Sequence, residues 1–323
     1  MISFITGGAG FIGSHLADRL LAERHEVWVL DDLSTGGMKN IDPLADEKRF
    51  HFKLGNVTDE SVVGELVDRA DVVFHLAAAV GVKLIVSNPV RTIETNVRGT
   101  EVVLQAAAKK NKLTVVASTS EVYGKGTKIP FSEEDDLLLG PTTRSRWGYA
   151  CSKAIDEYLS LAYAREKELP VIIARFFNTV GPRQTGRYGM VLPTFVRQGL
   201  RGEDITVYGS GEQRRCFGDV HAVVECLVRL IGCADAPGQV FNLGCNREIS
   251  IQQLAERVRD MTGGSSEIVK VPYEEAYEEG FEDLGRRVPD VEKLRRTIGM
   301  HPDTPVETII QNVIDHMQRT GEV

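Results

Sequence analysis

The chain has 323 residues, 42% of them apolar and 26% charged, with 31 glycines, a composition that excludes disordered, collagen-like and coiled-coil proteins. With 38 Lys and Arg against 46 Asp and Glu the formal charge is -8, so no broad basic face is available for a phosphate backbone and nucleic acid is excluded as a partner. A few arginines gathered in one pocket still suffice to bind a small anion.

The first predicted strand, Ile2 to Thr6, runs into Gly7-Gly8-Ala9-Gly10-Phe11-Ile12-Gly13 and then into a helix with Leu16, Leu20 and Leu21 on its inner side. Glycine at these places lets the backbone turn tightly, approach a pyrophosphate and pack the helix on the sheet, while the helix N-terminus supplies free N–H groups. The loop residues Gly7, Gly10, Phe11, Ile12 and Gly13 are therefore candidate cofactor contacts. A second strand, Glu26 to Leu30, ends at Asp31-Asp32, 18 residues beyond Gly13. A carboxylate there accepts both ribose hydroxyls and repels a 2'-phosphate, which selects NAD over NADP.

Further apolar runs of strand length follow at Phe50 to Leu54, Val72 to His75, Leu113 to Ser118 and Val171 to Phe176, separated by helical segments. Runs such as Val-Ile-Ile-Ala are apolar on both faces, as strands covered by helices on each side must be. The expectation is an α/β fold with a doubly wound parallel sheet and ligands beyond the carboxyl ends of its strands. After Asn178, Pro182, Pro193, Gly199, Gly202, Gly209 and Gly211 punctuate shorter segments, which predicts a smaller, loop-rich substrate-binding region. It is interrupted by a helix near Val220 to Ile231 and a strand near Val240 to Leu243, and it ends in an amphipathic helix from about Pro305 to Arg319. The expected division is a dinucleotide-binding domain at 1–177, with 216–245 returning to it, and a substrate region at 178–215 and 246–323. The acidic run Tyr273 to Asp283 reads as a solvated loop.

Tyr149 and Lys153 stand at i and i+4, on one face of a helix, so both reach one substrate hydroxyl. An ammonium beside a phenol, together with the positive charge of a nicotinamide, is expected to lower the tyrosine from its reference value of about 10 and make it a general base. Upstream, Ser118-Thr119-Ser120-Glu121-Val122-Tyr123-Gly124 places hydroxyls and one carboxylate at the end of the fifth strand.

Together with His75-Leu76-Ala77-Ala78, Asn96-Val97-Arg98-Gly99-Thr100, Arg175-Phe176-Phe177-Asn178 and Gly181-Pro182-Arg183, these motifs make the whole chain resemble the extended short-chain dehydrogenase/reductase family, the nucleotide-sugar epimerases, dehydratases and decarboxylases. The resemblance implies a Rossmann domain and a tightly held NAD, with Leu76, Ala77, Ala78 and Asn96 beside it. It also implies Tyr149 as base toward C4 of a UDP-sugar, Lys153 orienting tyrosine and nicotinamide ribose, and Thr119 or Ser120 bonding the reacting hydroxyl. Asn56-Val57 departs from the family's Asp-Val beside adenine; an Asn carbonyl can accept the same bond, so the departure bears on cofactor affinity. Asn178, Arg183, Arg215 and Arg287 lie in segments resembling the family's diphosphate and sugar contacts, and Val207-Tyr208-Gly209 with Phe217 would flank uracil. The resemblance further implies a homodimer through the helices near Ile93 to Lys109 and Tyr149 to Glu166.

Three reactions follow oxidation at C4: epimerisation, elimination to a 4-keto-6-deoxy sugar, and loss of a C6 carboxylate. A 4,6-dehydratase carries Thr-Asp-Glu where this chain has Thr119-Ser120-Glu121, so the acid for elimination is missing. Thr119-Ser120-Glu121 and Arg286-Arg287-Val288-Pro289-Asp290 are similar to the UDP-glucuronate decarboxylases, with Arg287 near the sugar carboxylate, and Arg146-Trp147 resembles a decarboxylase that stops at the 4-keto-pentose. Decarboxylation of UDP-glucuronate is the leading expectation, with a UDP-glucose or UDP-glucuronate 4-epimerase and then a dehydratase as alternatives. A non-catalytic dinucleotide sensor is the reading of another class, against which the intact Tyr-Lys pair stands.

Five cysteines, Cys151, Cys216, Cys226, Cys233 and Cys245, form no CxxC pair, and seven histidines show no HExxH, so neither a disulfide framework nor a metal site is expected. His75 reads as a satisfied residue near the cofactor loop, and Tyr123 as structural. The N-terminus lacks a basic n-region, and the apolar stretch Ala70 to Val82 is too short to span a bilayer and carries Asp71 and His75. These features predict a cytoplasmic protein with no membrane segment.

Overall fold

A computed structural model describes residues 1–79, 88–186, 190–272 and 286–322. The acidic run Tyr273 to Asp283 and the far end of the apolar stretch at Val82 lie outside the described residues. In chain order the first half runs β1 (Ile2–Thr6), α1 (Phe11–Ala22), β2 (Glu26–Asp31), β3 (Phe50–Leu54), α2 (Glu60–Arg69), β4 (Val72–His75), α3 (Pro89–Lys109), β5 (Leu113–Thr119), α4 (Arg146–Lys167) and β6 (Val171–Phe176). The second half runs β7 (Thr179–Val180), α5 (Val191–Arg201), β8 (Ile205–Tyr208), β9 (Arg214–Cys216), β10 (Gly218–Asp219), α6 (Val220–Ile231), β11 (Gln239–Leu243), β12 (Glu248–Ser250), α7 (Ile251–Met261), β13 (Ile268–Val271), α8 (Glu292–Ile298) and α9 (Val306–Thr320).

Seven strands form one sheet in the order β11-β6-β5-β4-β1-β2-β3, every pair parallel. The doubly wound α/β sheet is thus the one the apolar runs predicted. Neighbouring residues along a strand feed opposite layers, as the two-residue period of a strand requires. Ile5, Phe74, Val115 and Ile172 pack toward α1 and α6, while Phe4, Val73, Val116 and Ile173 pack toward α2 and α3. Strand order reverses between β1 and β4, the switch point at which such sheets leave a crevice for ligands.

The second half is more regular than its glycines and prolines predicted, and the reason lies in where those residues fall. Pro193 sits in the first turn of α5, where no intrahelical N–H bond is lost, and Gly202 closes the same helix at φ +66°. Helix α7 starts with a capping box in which Ser250 and Gln253 bond each other's backbone. These helices, with α9 and β8, enclose a separate apolar cluster that includes Leu192, Phe195, Ile205, Leu254, Val258, Ile309 and Val313. Val207 and Phe217 belong to it as buried core residues, while Tyr208 between them is exposed.

One buried polar network joins the sheet to α4. Arg175 on β6 grips Glu157 on α4 through Nε at 2.9 Å and Nη2 at 2.7 Å, and Ser118 on β5 donates to the same carboxylate. Arg175 also donates to the Tyr123 hydroxyl at 2.9 Å, which donates to Asn242 on β11 at 2.7 Å. Replacing Glu157 by Ala leaves the Arg175 guanidinium buried without its counter-ion, and is expected to cost about 3–5 kcal/mol in denaturant unfolding. An unchanged unfolding midpoint would show that the pair contributes nothing to stability.

Candidate active site

The carboxyl ends of β1, β2, β4 and β5 place the glycine loop, Asp31, the Leu76-Ala77-Ala78 segment and Thr119 along one edge of the sheet. Gly7 adopts φ +74°, and a Cβ there would stand 2.8 Å from the backbone nitrogen of Ala77. At Gly13 a Cβ would stand 2.3 Å from the Gly7 carbonyl oxygen. Both positions therefore exclude a side chain, one by conformation as well as space. Gly10 precedes α1 and no side chain caps that helix, which leaves its first-turn amides, from Phe11, Ile12 and Gly13, for a ligand.

Asp31 is built into this loop. Its Oδ2 accepts from Ala9 N at 2.9 Å and its Oδ1 from Leu33 N at 2.8 Å; burial raises its carboxyl above the usual value against those bonds. Asp32 is exposed and accepts from Ser34 N at 3.0 Å. The Asn56 amide oxygen already accepts from Thr58 N at 2.9 Å and Thr58 Oγ1 at 2.8 Å, while its nitrogen donates to Asp32 at 3.4 Å. With both acceptor positions used, Asn56 presents a donor rather than the carbonyl the sequence suggested. Val57 beside it is buried against Gly99 of α3.

His75 lies between two hydroxyls, with Nδ1 2.8 Å from Thr6 Oγ1 and Nε2 3.0 Å from Thr100 Oγ1. Because Thr6 Oγ1 also accepts from Ala77 N at 3.2 Å, the pattern closes when His75 carries its proton on Nε2. Asn96 accepts from Ala79 N at 2.8 Å and donates to Ser152 Oγ at 3.1 Å, and Ser152 donates to the Tyr149 carbonyl at 2.8 Å. Asn96 thus fastens the segment after β4 to the turn of α4 that carries Tyr149.

Tyr149 and Lys153 are both buried on α4, but the ammonium does not turn to the phenol. Lys153 Nζ donates to Asp156 Oδ2 at 2.7 Å. Tyr149 is held above its ordinary value, first by burial and then by the charge of Glu121, with the Thr119 side chain acting in the opposite direction. The expected lowering combined Lys153 with the charge of a bound nicotinamide; from the protein's own groups, burial and Glu121 raise the phenol, and Asp156, three residues along the same helix face, pairs with the lysine. Sequence reasoning missed Asp156, although its i+3 spacing from Lys153 was visible.

Thr119 Oγ1 accepts from Glu121 N at 3.2 Å as Ser120–Tyr123 turns into a short helix, with Ser120 buried. Glu121 is clamped by an ion pair with Arg287 and a second with Arg146 at 3.1 Å. Burial alone would raise this carboxyl, but the two guanidiniums outweigh it and hold Glu121 below the usual carboxylate range. Among the described residues two arginines meet one carboxylate in a largely buried corner, chemistry suited to an anionic group. The structure thus brings together Arg146, Glu121 and Arg287 from three distant stretches of chain.

The other arginines lie elsewhere. Arg183 pairs with Asp18 of α1 at 2.8 Å and lines a cavity of about 320 Å³ with His15, His221 and His316, so it does not join the Glu121 cluster. Arg215 on β9 donates to the backbone carbonyl of Arg214 at 2.8 Å. Asn178 donates to the Cys216 carbonyl at 3.2 Å, tying the end of β6 to β9.

The NAD dependent epimerase/dehydratase family model matches residues 3–244. The chain is 44% identical over 319 residues to a UDP-N-acetyl-alpha-D-glucosaminuronate decarboxylase of Bacillus cytotoxicus, covering 96% of this chain and 95% of that protein. It is 36% identical to UDP-glucuronic acid decarboxylase 1 of Xenopus tropicalis, covering 98% of this chain and 72% of that one. Among solved structures, the UDP-glucose 4-epimerase of Thermus thermophilus in complex with NAD superposes with a TM-score of 0.84 at 29% identity, covering 98% and 99% of the two chains.

Complete burial, then the nearby charge of Lys153, lower His75 from 6.5 to about 3. The unfolded chain takes up a proton near pH 6.5 that the folded chain refuses, so this contribution to stability is present above that pH and is lost as pH falls toward 3. Within that window each pH unit is expected to cost about 1.4 kcal/mol in urea unfolding, and His75→Gln to flatten the slope correspondingly. Equal slopes for the two proteins would contradict the assignment.

Proposed function

The chain belongs to the NAD dependent epimerase/dehydratase family, and we propose that its reaction is decarboxylation of a UDP-hexuronate, UDP-glucuronate or its 2-acetamido counterpart. The observation that carries this reading is the Arg146–Glu121–Arg287 cluster set beside Tyr149. A 4-epimerase acting on a neutral hexose has no use for it. The decarboxylase names of the relatives from Bacillus cytotoxicus and Xenopus tropicalis support the same reading.

The glycine cradle and uncapped α1 fit a pyrophosphate, and NAD, when bound, supplies the hydride acceptor and a positive nicotinamide ring. Gly7, Gly10, Phe11, Ile12 and Gly13 would hold the phosphates, Asp31 and Asp32 the adenosine ribose, Asn56 and Val57 the adenine side, and Leu76, Ala77, Ala78 and Asn96 the crevice wall. Lys153 would serve the nicotinamide ribose.

In this reading Tyr149 would act as the phenolate, favoured over the buried phenol by the positive nicotinamide ring of bound NAD and by Lys153, and would take the proton of the C4 hydroxyl, with Thr119 and Ser120 orienting that hydroxyl. Once C4 is a ketone, the C6 carboxylate is β to it. The C5–C6 bond breaks, carbon dioxide leaves and the electron pair passes to the C4 oxygen as an enolate. Arg287 and Arg146 receive the carboxylate, and ionised Glu121 beside it disfavours a second negative charge and favours its departure as a neutral molecule.

The proposed division places the dinucleotide domain at 1–177 with 216–245 and the substrate region at 178–215 and 246–323, with Asn178 and Arg215 near the diphosphate. A homodimer through α3 and α4 is supported by exposed Val90 and Ile93 on the first helix and Ile155 and Tyr158 on the second. No described helix is long and apolar enough to cross a membrane, and the five cysteines are unpaired, which supports a cytoplasmic setting.

Purified protein supplied with NAD is expected to convert a UDP-hexuronate to a product lighter by carbon dioxide, read by mass spectrometry and NMR. Inversion at C4 without change of mass, or loss of water from UDP-glucose, would replace this reading with epimerase or dehydratase. Arg287→Ala is expected to lower kcat about 10²–10³-fold on the uronate. Full activity of that variant would remove Arg287 from the site.

A further inference from the structure

The ion pair between Lys153 and Asp156 is among the most deeply buried in the molecule: the two side chains are 3% and 0% exposed. Asp156 is not isolated from the cofactor side of the sheet. The Thr100 hydroxyl of α3 is near enough to lower its carboxyl, and stands 3.0 Å from His75 Nε2; His75 Nδ1 then meets Thr6 at the end of β1.

We infer that Asp156 is a positioning residue for the reaction, setting where the Lys153 ammonium stands and how much of its charge reaches the Tyr149 phenol. This rests on the reading of Tyr149 as the base. A lysine held 2.7 Å from a buried carboxylate has part of its charge offset at the phenol, which Asp156 itself raises. The titratable groups that face the pair are Tyr149 and Glu157 on α4 and His75 on β4, and Glu121 in the turn after β5 faces Tyr149. Of these Glu157 is committed to Arg175, Glu121 to two arginines, and His75 to Thr6 and Thr100. Asp156 is thus the one carboxylate among them whose partner is the lysine of the Tyr-Lys pair.

Asp156→Asn keeps shape and an acceptor oxygen but removes the charge. With NAD-loaded enzyme and the UDP-hexuronate that it turns over, kcat is expected to fall roughly tenfold with KM for the sugar nucleotide unchanged, because the ammonium loses its anchor. The acid limb of the kcat profile should move to lower pH, because the uncompensated lysine now favours the phenolate. Asp156→Glu, which restores the charge, should return the acid limb to its original pH with kcat partly recovered. An unchanged profile in Asp156→Asn, or a fall in kcat that tracks lost thermal stability with the acid limb in place, reduces the pair to a structural contact and overturns the inference. If Asp156→Asn does not fold, Asp156→Glu decides: wild-type kcat there overturns positioning, and a lowered kcat at unchanged KM supports it. Tyr149→Phe separates the two readings, since turnover surviving in that variant removes Tyr149 as base whatever Asp156 does.

Discussion

The grip of Arg175 on Glu157 is the interaction on which the site's geometry depends. It fastens α4 to β6, and through Ser118 and Tyr123 it holds both ends of the turn that carries Thr119, Ser120 and Glu121. Buried ion pairs contribute little net stability when compared with well-packed apolar residues, but an unpaired buried charge is costly, so such a pair penalises alternative packings. Here the penalised alternatives are those in which α4 slides along the sheet. A slide of one residue would carry Tyr149 away from Thr119, and the Asn96 to Ser152 bond would break with it.

Two further carboxylates divide the cations of the site between them. Among the described residues Glu121 draws Arg146 and Arg287 together, two cations to one carboxylate, while Asp156 offsets part of the charge of Lys153. One corner of the pocket is thereby richer in cations than the neighbouring one, although the molecule as a whole carries -8. Burial sharpens this contrast, because in a low-dielectric interior each of these pairs is screened far less than it would be at the surface. A sugar carrying a carboxylate meets complementary charge on one side and the Tyr149 side chain on the other.

Local chemistry was legible where the chain is periodic. Residues Val72–His75 and Val171–Phe176 are strands at the bounds their apolar runs suggested, because strands covered on both faces need continuous apolar sequence. The glycine loop was legible for a related reason: positive φ and a 2.3 Å approach tolerate no other residue. Beyond Asn178 the same cues misled. Pro193 and Gly202 suggested loops but bound a helix, since proline in a first turn and glycine at a C-terminus are compatible with helical backbone.

The sequence by itself determined the parallel sheet, the dinucleotide loop and the placing of Tyr149 and Lys153 on one helix, since each follows from local periodicity or from a conformation open only to glycine. Only the tertiary structure decided who pairs with whom. Arg287 reaches Glu121 across 166 positions of sequence, Arg183 turns to Asp18 instead of the pocket, and Asn56 spends its carbonyl on Thr58. The partner of a charged or amide side chain is set by which groups folding leaves within about 3 Å in a place poor in water, and no spacing along the chain encodes that distance.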